Sequence, residues 1–97
     1  MEKQYNIRIT PHAEDAMREI GHYIAVDLMA PEAASRLLRQ LYAEIMKLGS
    51  FPNRVHRTPE EPWYSLGVRR LLVKNYYLYF LVDDTQALVQ IIDVIYA

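Results

Sequence analysis

The residues whose types and spacing can do chemistry are Arg69, Arg70 and Lys74, together with the run Tyr76-Tyr77-Leu78-Tyr79 and the late Tyr96. Guanidinium and ammonium groups hold phosphate oxygens and stabilise charge developing at a scissile phosphodiester. Tyrosine stacks on a base or donates a proton. Arg69 and Arg70 are consecutive, so on a strand they point to opposite faces. One faces the core side and needs a partner or a route to the rim. The other projects from the open face, where Lys74, Tyr77 or Tyr79, and Tyr96 can join it. The same residue types also make ordinary cross-strand pairs on an exposed sheet, and taken alone they favour that plainer reading.

Other chemistries find less support. His12, His22 and His56 are the only histidines, and no His-Glu-x-x-His spacing occurs. No metal site is expected. Ser35, Ser50 and Ser65 have no nucleophile-elbow context, and cysteine is absent. Three glycines make no phosphate loop. The acidic pairs Glu14-Asp15, Glu60-Glu61 and Asp83-Asp84 fall at a helix start, a loop and a turn, which are ordinary solvated positions. No cofactor is implied.

The elements that position these residues follow from pattern. Ninety-seven residues, 52% of them hydrophobic, make one domain spanning 1–97 with a modest core. The net charge of −1 is unlike a dedicated nucleic-acid binder, leaving only a local basic cluster for that work. No apolar run spans a bilayer and no signal peptide is evident, so a cytoplasmic protein without membrane association is expected. Tyr5 to Ile9 alternates as a half-buried strand with Tyr5, Ile7 and Ile9 inward. Thr10-Pro11 starts a helix whose stripe runs Ala13, Ala16, Met17, Ile20, Tyr23, Ile24 and Leu28. Gly21 inside it suggests close approach of another backbone. Ala30-Pro31 starts a second helix, with Ala34, Leu37, Leu38, Leu41, Ile45 and Leu48 buried and Gly49 as its stop.

Residues 50–66 read as an irregular loop, pinned to the core by aromatics at its two ends, Phe51 and Trp63. Strands follow at Gly67–Val73, Tyr76–Val82 and Ala87–Tyr96, joined by short turns as an antiparallel meander. The fold class is α+β, with order βααβββ. An antiparallel αα-hairpin packs on one face of a small, mostly antiparallel sheet. Edges of such a sheet can accept a partner strand.

Several segments carry a resemblance. Tyr5 to Ala13 looks like an opening strand and helix start, and Glu19 to Ala25 like the middle of that helix. Pro31-Glu32-Ala33-Ala34 and Leu48-Gly49-Ser50-Phe51-Pro52 look like a second helix and its exit. Gly67-Val68-Arg69-Arg70 and Val73 to Phe80 look like paired strands. In this order, over nearly the full length, they resemble the RelE/ParE toxin superfamily, the plasmid-stabilisation toxins.

The resemblance implies the toxin half of a bacterial type II toxin–antitoxin module, neutralised by a cognate antitoxin that wraps it. Operator DNA is then contacted through the antitoxin. Two activities are implied: metal-independent mRNA cleavage on the ribosome, or inhibition of DNA gyrase without catalysis. For the nuclease, the candidate set is Arg69, Arg70, Lys74, Tyr77 and Tyr96. Active nucleases resemble Tyr-Arg-x-x-Tyr on the second of the paired strands. Here Tyr77 takes the arginine's place, Phe80 the later tyrosine's, and the sequence ends at Ala97 without a basic tail. The alternative expectation is a catalytically inactive member that only binds its antitoxin.

Overall fold

The computed structural model describes residues 3–97. Strand β1 (Asn6–Ile9) keeps the alternation of its sequence, with Ile7 and Ile9 half-buried and Asn6 and Arg8 exposed. It stops at Thr10, whose hydroxyl donates to the Ile91 carbonyl (2.9 Å) and accepts the Ala13 N–H (3.2 Å). That caps α1 (Pro11–His22), with Pro11 at a position needing no amide donor. Ala13 and Met17 face the core.

From Tyr23 to Asp27 the helix widens into a single π turn. The extra residue per turn rotates the apolar stripe outward. Tyr23 and Leu28, expected inside, are 52% and 54% exposed. Met29 then takes a left-handed conformation and ends the helical run. Helix α2 (Pro31–Lys47) returns antiparallel, burying Ala34, Leu41 and Ile45. Gly21 does admit a close neighbour, but a side chain rather than a backbone: a Cβ there would stand 2.9 Å from Leu38 Cδ1.

The loop after α2 is more ordered than its composition suggested. It holds a 3-10 turn (Pro52–Arg54) and a one-turn helix α3 (Trp63–Leu66), ended by Gly67 at φ 83°. Pro52, Val55, Thr58 and Val68 pin it to the core. Phe51 and Trp63, expected to do so, are exposed.

Strands β2 (Arg69–Val73), β3 (Tyr76–Asp83) and β4 (Leu88–Tyr96) form the expected meander. β1 adds beside β4 in parallel, giving the order β1-β4-β3-β2. The α+β architecture is thus βααβββ with a mostly antiparallel sheet. Leu78, Phe80, Val89, Ile91 and Val94 line the inner sheet face against Ala13, Met17, Leu41 and Ile45. Among the described residues, the opposite face carries no long helix. Among the described residues, no helix is long and apolar enough to cross a membrane.

Candidate functional site

Strand parity sorts the sequence candidates between the two faces. Arg70 pairs with Tyr79 across β2 and β3, and Leu72 with Tyr77. These four lie on the open face. The Arg70 guanidinium carbon sits 4.3 Å from the centroid of the Tyr77 ring. Its Nη1 also lies 3.6 Å from the Glu60 carboxylate, which reaches over from the loop before α3. Tyr77 and Tyr79 stand 6.0 Å apart, tilted. The open face therefore gathers Arg70, Tyr77 and Tyr79 into one aromatic and cationic cluster.

Arg69 points the other way, as consecutive strand residues must. It does not lie open: its Nη1 donates to the backbone carbonyls of Val55 and Asn53. The sequence predicted that the inward arginine needs a partner, and the loop carbonyls supply it. Arg69 thereby ties the loop to the edge of β2.

Lys74 is at the tip of the β2–β3 turn with φ 56°, a left-handed conformation that favours glycine. Its neighbours there are Gln40 and Glu44 of α2 and Leu72, around a shallow cleft. It does not join the Arg70 cluster.

Tyr96 is separated from that cluster by a single-residue irregularity. Tyr79 pairs with Asp93 but Phe80 with Ile91, so Ile92 is inserted as a β-bulge. Up to Ile91 the odd-numbered residues of β4 face inward; beyond it Val94 and Tyr96 do. Tyr96 thus packs edge-on against Tyr76 (centroids 5.4 Å, planes 76° apart) on the helix side of the sheet. Burial, aided by Tyr96 and Tyr23, holds the Tyr76 phenol above its ordinary pKa.

Sequence reasoning did not single out the remaining parts of the open face. A cavity of about 410 Å³ opens there beside Arg70, walled by Trp63, Tyr79, Ile92 and Ile95, with Glu60 and Asp93 at its polar rim. Thr58 lines it, its hydroxyl buried and without a hydrogen-bond partner among the described residues. The meeting of a loop tryptophan with strand residues around one cavity is a three-dimensional property, and no motif announces it. Among the described residues, no three His, Asp or Glu side chains are grouped to hold a metal ion. Chemically, the face offers one stacked guanidinium amid aromatic and aliphatic side chains. That arrangement suits recognition: aromatic anchors and arginine are the residue types enriched at interfaces.

The sequence matches the family described as the ParE toxin of type II toxin–antitoxin systems, parDE, over residues 7–97. No curated protein matches the chain significantly. Among solved structures, the chromosomal ParDE system from P. aeruginosa is similar at TM-score 0.76 and 21% identity, covering 98% of each chain. The toxin–antitoxin complex RelBE2 from Mycobacterium tuberculosis gives 0.63 and 18%, over 97% of this chain and 99% of that one. A mutant of E. coli toxin RelE in the free state gives 0.66 and 18%, over 97% and 84%. At these identities the structures attest the shared fold, while the family match extends over nearly the whole sequence. The chain belongs to the ParE toxin family and is the toxin component of a type II toxin–antitoxin module.

Proposed function

We propose that this toxin arrests growth by binding its target through the open sheet face, without cutting RNA, and that the target is DNA gyrase. A cognate antitoxin holds it inactive, and operator DNA is met through that antitoxin. The carrying observation is the separation of the candidate catalytic groups. Arg69 is engaged by backbone carbonyls, Lys74 stands at a turn tip, and Tyr96 lies on the other face. Arg70 is left as the one cation of the cluster, already stacked on Tyr77 and near Glu60. Cleaving a phosphodiester needs several groups converging on one phosphate, and losing a single charge-stabilising donor costs about 3 kcal/mol at the transition state. The family description favours the same branch of the superfamily.

The second reading, ribosome-dependent mRNA cleavage, is favoured by one feature: Arg70 lies beside two tyrosines able to stack on bases. Induction without the antitoxin separates the two. Primer extension on abundant messages and a supercoiling assay with purified gyrase are read in parallel. Inhibited supercoiling with intact messages supports the proposal. New cleavage within codons and unaffected supercoiling overturn it. An inert but antitoxin-binding chain gives neither signal and no growth arrest.

A further inference from the structure

Charge is nearly balanced over the chain, at −1, but it is not evenly spread. At the end of the sheet marked by the β3–β4 turn, Lys3, Arg54 and Arg57 stand exposed around the 3-10 turn. Lys3 and Arg54 line one cleft with Phe51, and Lys3 Nζ donates to the Asp84 carbonyl. Arg57 is joined to this end by its backbone bridge to Arg69, whose Nη1 holds the Asn53 and Val55 carbonyls of the same loop.

The guanidinium forks are set in place but not used up. Arg54 Nη1 donates to the Ser50 and Phe51 carbonyls, each at 2.9 Å. Arg57 Nη1 donates to the Tyr64 carbonyl at 3.3 Å while its guanidinium lies over the Tyr64 ring. Each fork carries further donors in the same plane. Among the described residues, no carboxylate is paired with Lys3, Arg54 or Arg57. The two carboxylates of the turn are otherwise engaged. Asp83 accepts the Gln86 N–H at 3.0 Å, and Asp84 is bonded by Tyr5 and Asn53. Counted with Arg69, four cations stand against these two acids, so this end is positive on a chain that is net negative.

Preset cations without carboxylate partners suit an anion of repeating charge, because each phosphate they neutralise releases condensed counterions. Guanidinium forks also match the oxygens of a phosphate in shape. Of the neighbouring aromatic residues, Tyr5 is bonded to Asp84 and Tyr64 is covered by Arg57, which leaves Phe51 exposed. One ring makes no track for successive unstacked bases, so the patch fits a duplex backbone better than a single strand.

We propose that Lys3, Arg54 and Arg57 grip phosphates of duplex DNA, and that this DNA is the segment held by the toxin's target. The second clause rests on the gyrase reading above. It adds to the open face a sequence-independent contact made to the enzyme's own substrate. Three cations hold DNA weakly by themselves, but they steer the toxin to a DNA-loaded enzyme and strengthen its docking there.

The test follows the anisotropy of a short labelled DNA duplex of mixed sequence, titrated with purified toxin across a salt series. Three phosphate contacts give a slope of log affinity against log salt of about −3, so binding weakens about fortyfold between about 50 and 200 mM salt. Lys3→Gln, Arg54→Gln and Arg57→Gln each reduce the slope by about one. Arg54→Lys keeps the charge and the slope while losing the fork on the loop carbonyls, which separates charge from loop structure. Arg36→Gln, exposed on α2, leaves the slope unchanged. Circular dichroism checks that each variant is folded. In supercoiling assays with gyrase, the double variant Arg54→Gln, Arg57→Gln needs several-fold more toxin for half inhibition at low salt. Absence of duplex binding at low salt, a slope indifferent to the glutamine variants, or an equal loss in Arg54→Lys overturns the proposal. Tighter binding of single-stranded RNA of the same length overturns it too. A wild-type toxin that leaves supercoiling untouched sinks the gyrase reading instead, while the salt series still judges the phosphate contact.

Discussion

Arg70 stacks on Tyr77 across the β2–β3 pair, with its guanidinium carbon 4.3 Å from the ring centroid. One guanidinium there is held by an aromatic face instead of being set against a second cation. The contact is worth about 0.5–1 kcal/mol on a partly exposed surface. Tyr77→Leu is expected to lower stability by that amount in urea unfolding, while Tyr77→Phe changes it little. If Tyr77→Leu unfolds at the wild-type midpoint, the stacking is without consequence. Arg70→Ala, at equal soluble expression, weakens growth arrest and leaves messages uncut in both proteins.

Thr58 is 2% exposed, and its hydroxyl finds no partner among the described residues. Burying an unpaired hydroxyl costs about 1–3 kcal/mol. Thr58→Val has nearly the same shape and removes that cost, so it is expected to raise stability by about 1 kcal/mol. Thermal and urea unfolding check this. A loss of stability would mean that the hydroxyl is bonded to an ordered water in the cavity beside Trp63.

Gly21 separates α1 from Leu38 of α2. Alanine at a helix interior gains about 1 kcal/mol over glycine, but its Cβ would stand 2.9 Å from Leu38 Cδ1. That atom is the end of a flexible side chain, so the displacement is cheap and the two effects nearly cancel. Gly21→Ala is expected within about 0.5 kcal/mol of wild type. Gly21→Val cannot be absorbed in this way and costs about 1–3 kcal/mol by overpacking. Equal stabilities for the two variants would contradict the close approach.

The Tyr5 hydroxyl donates to the Asp84 carboxylate in the β3–β4 turn, and Asn53 donates to the same oxygen at 3.1 Å. The bond shifts both partners. Asp84 titrates below its ordinary value of 3.8, first because of Tyr5 and then Asn53; Tyr5 titrates above 10.0, chiefly because of Asp84. A lowered carboxylate contributes stability above its unfolded pKa and loses it as pH falls through the folded one. A raised tyrosine contributes below its unfolded pKa and loses it as pH rises through the folded one. The stability gap between wild type and Tyr5→Phe is therefore widest between about pH 4 and pH 10 and closes on both sides. Unfolding of the pair at pH 3, 7 and 11 tests this, and a gap constant with pH rules it out.

The fold was legible where periodicity is strong. Tyr5 to Ile9, the two helical stripes and the three late strands announce their elements because each buries one face. The π turn was not legible, since Tyr23 and Leu28 sit at good helical spacing and only the three-dimensional course of the chain turns them out. At the site, consecutive numbering required Arg69 and Arg70 to part, but not which one faces outward. That depends on the register with β3. Tyr96 was placed with the open-face residues because nothing in Ile91-Ile92-Asp93 marks a bulge, yet that one residue moves it to the other face. Trp63 and Glu60 were visible only as loop residues, and the partners that make them part of a cavity come from strands far along the chain.

The parallel pairing of β1 with β4 has a consequence for how the protein is born. Among the described residues, β1 pairs with no strand but β4, and β4 is also the neighbour of β3, so two of the three strand seams need residues 88–96. Contacts spanning the whole chain are slow to form and demand that both ends be present. While β4 is still inside the ribosomal exit tunnel, the emerging chain has helices and one hairpin but no completed sheet. Until residues 88–96 are available, neither β1 nor β3 has its seam with β4, and the inner face that packs on the helices stays unfinished.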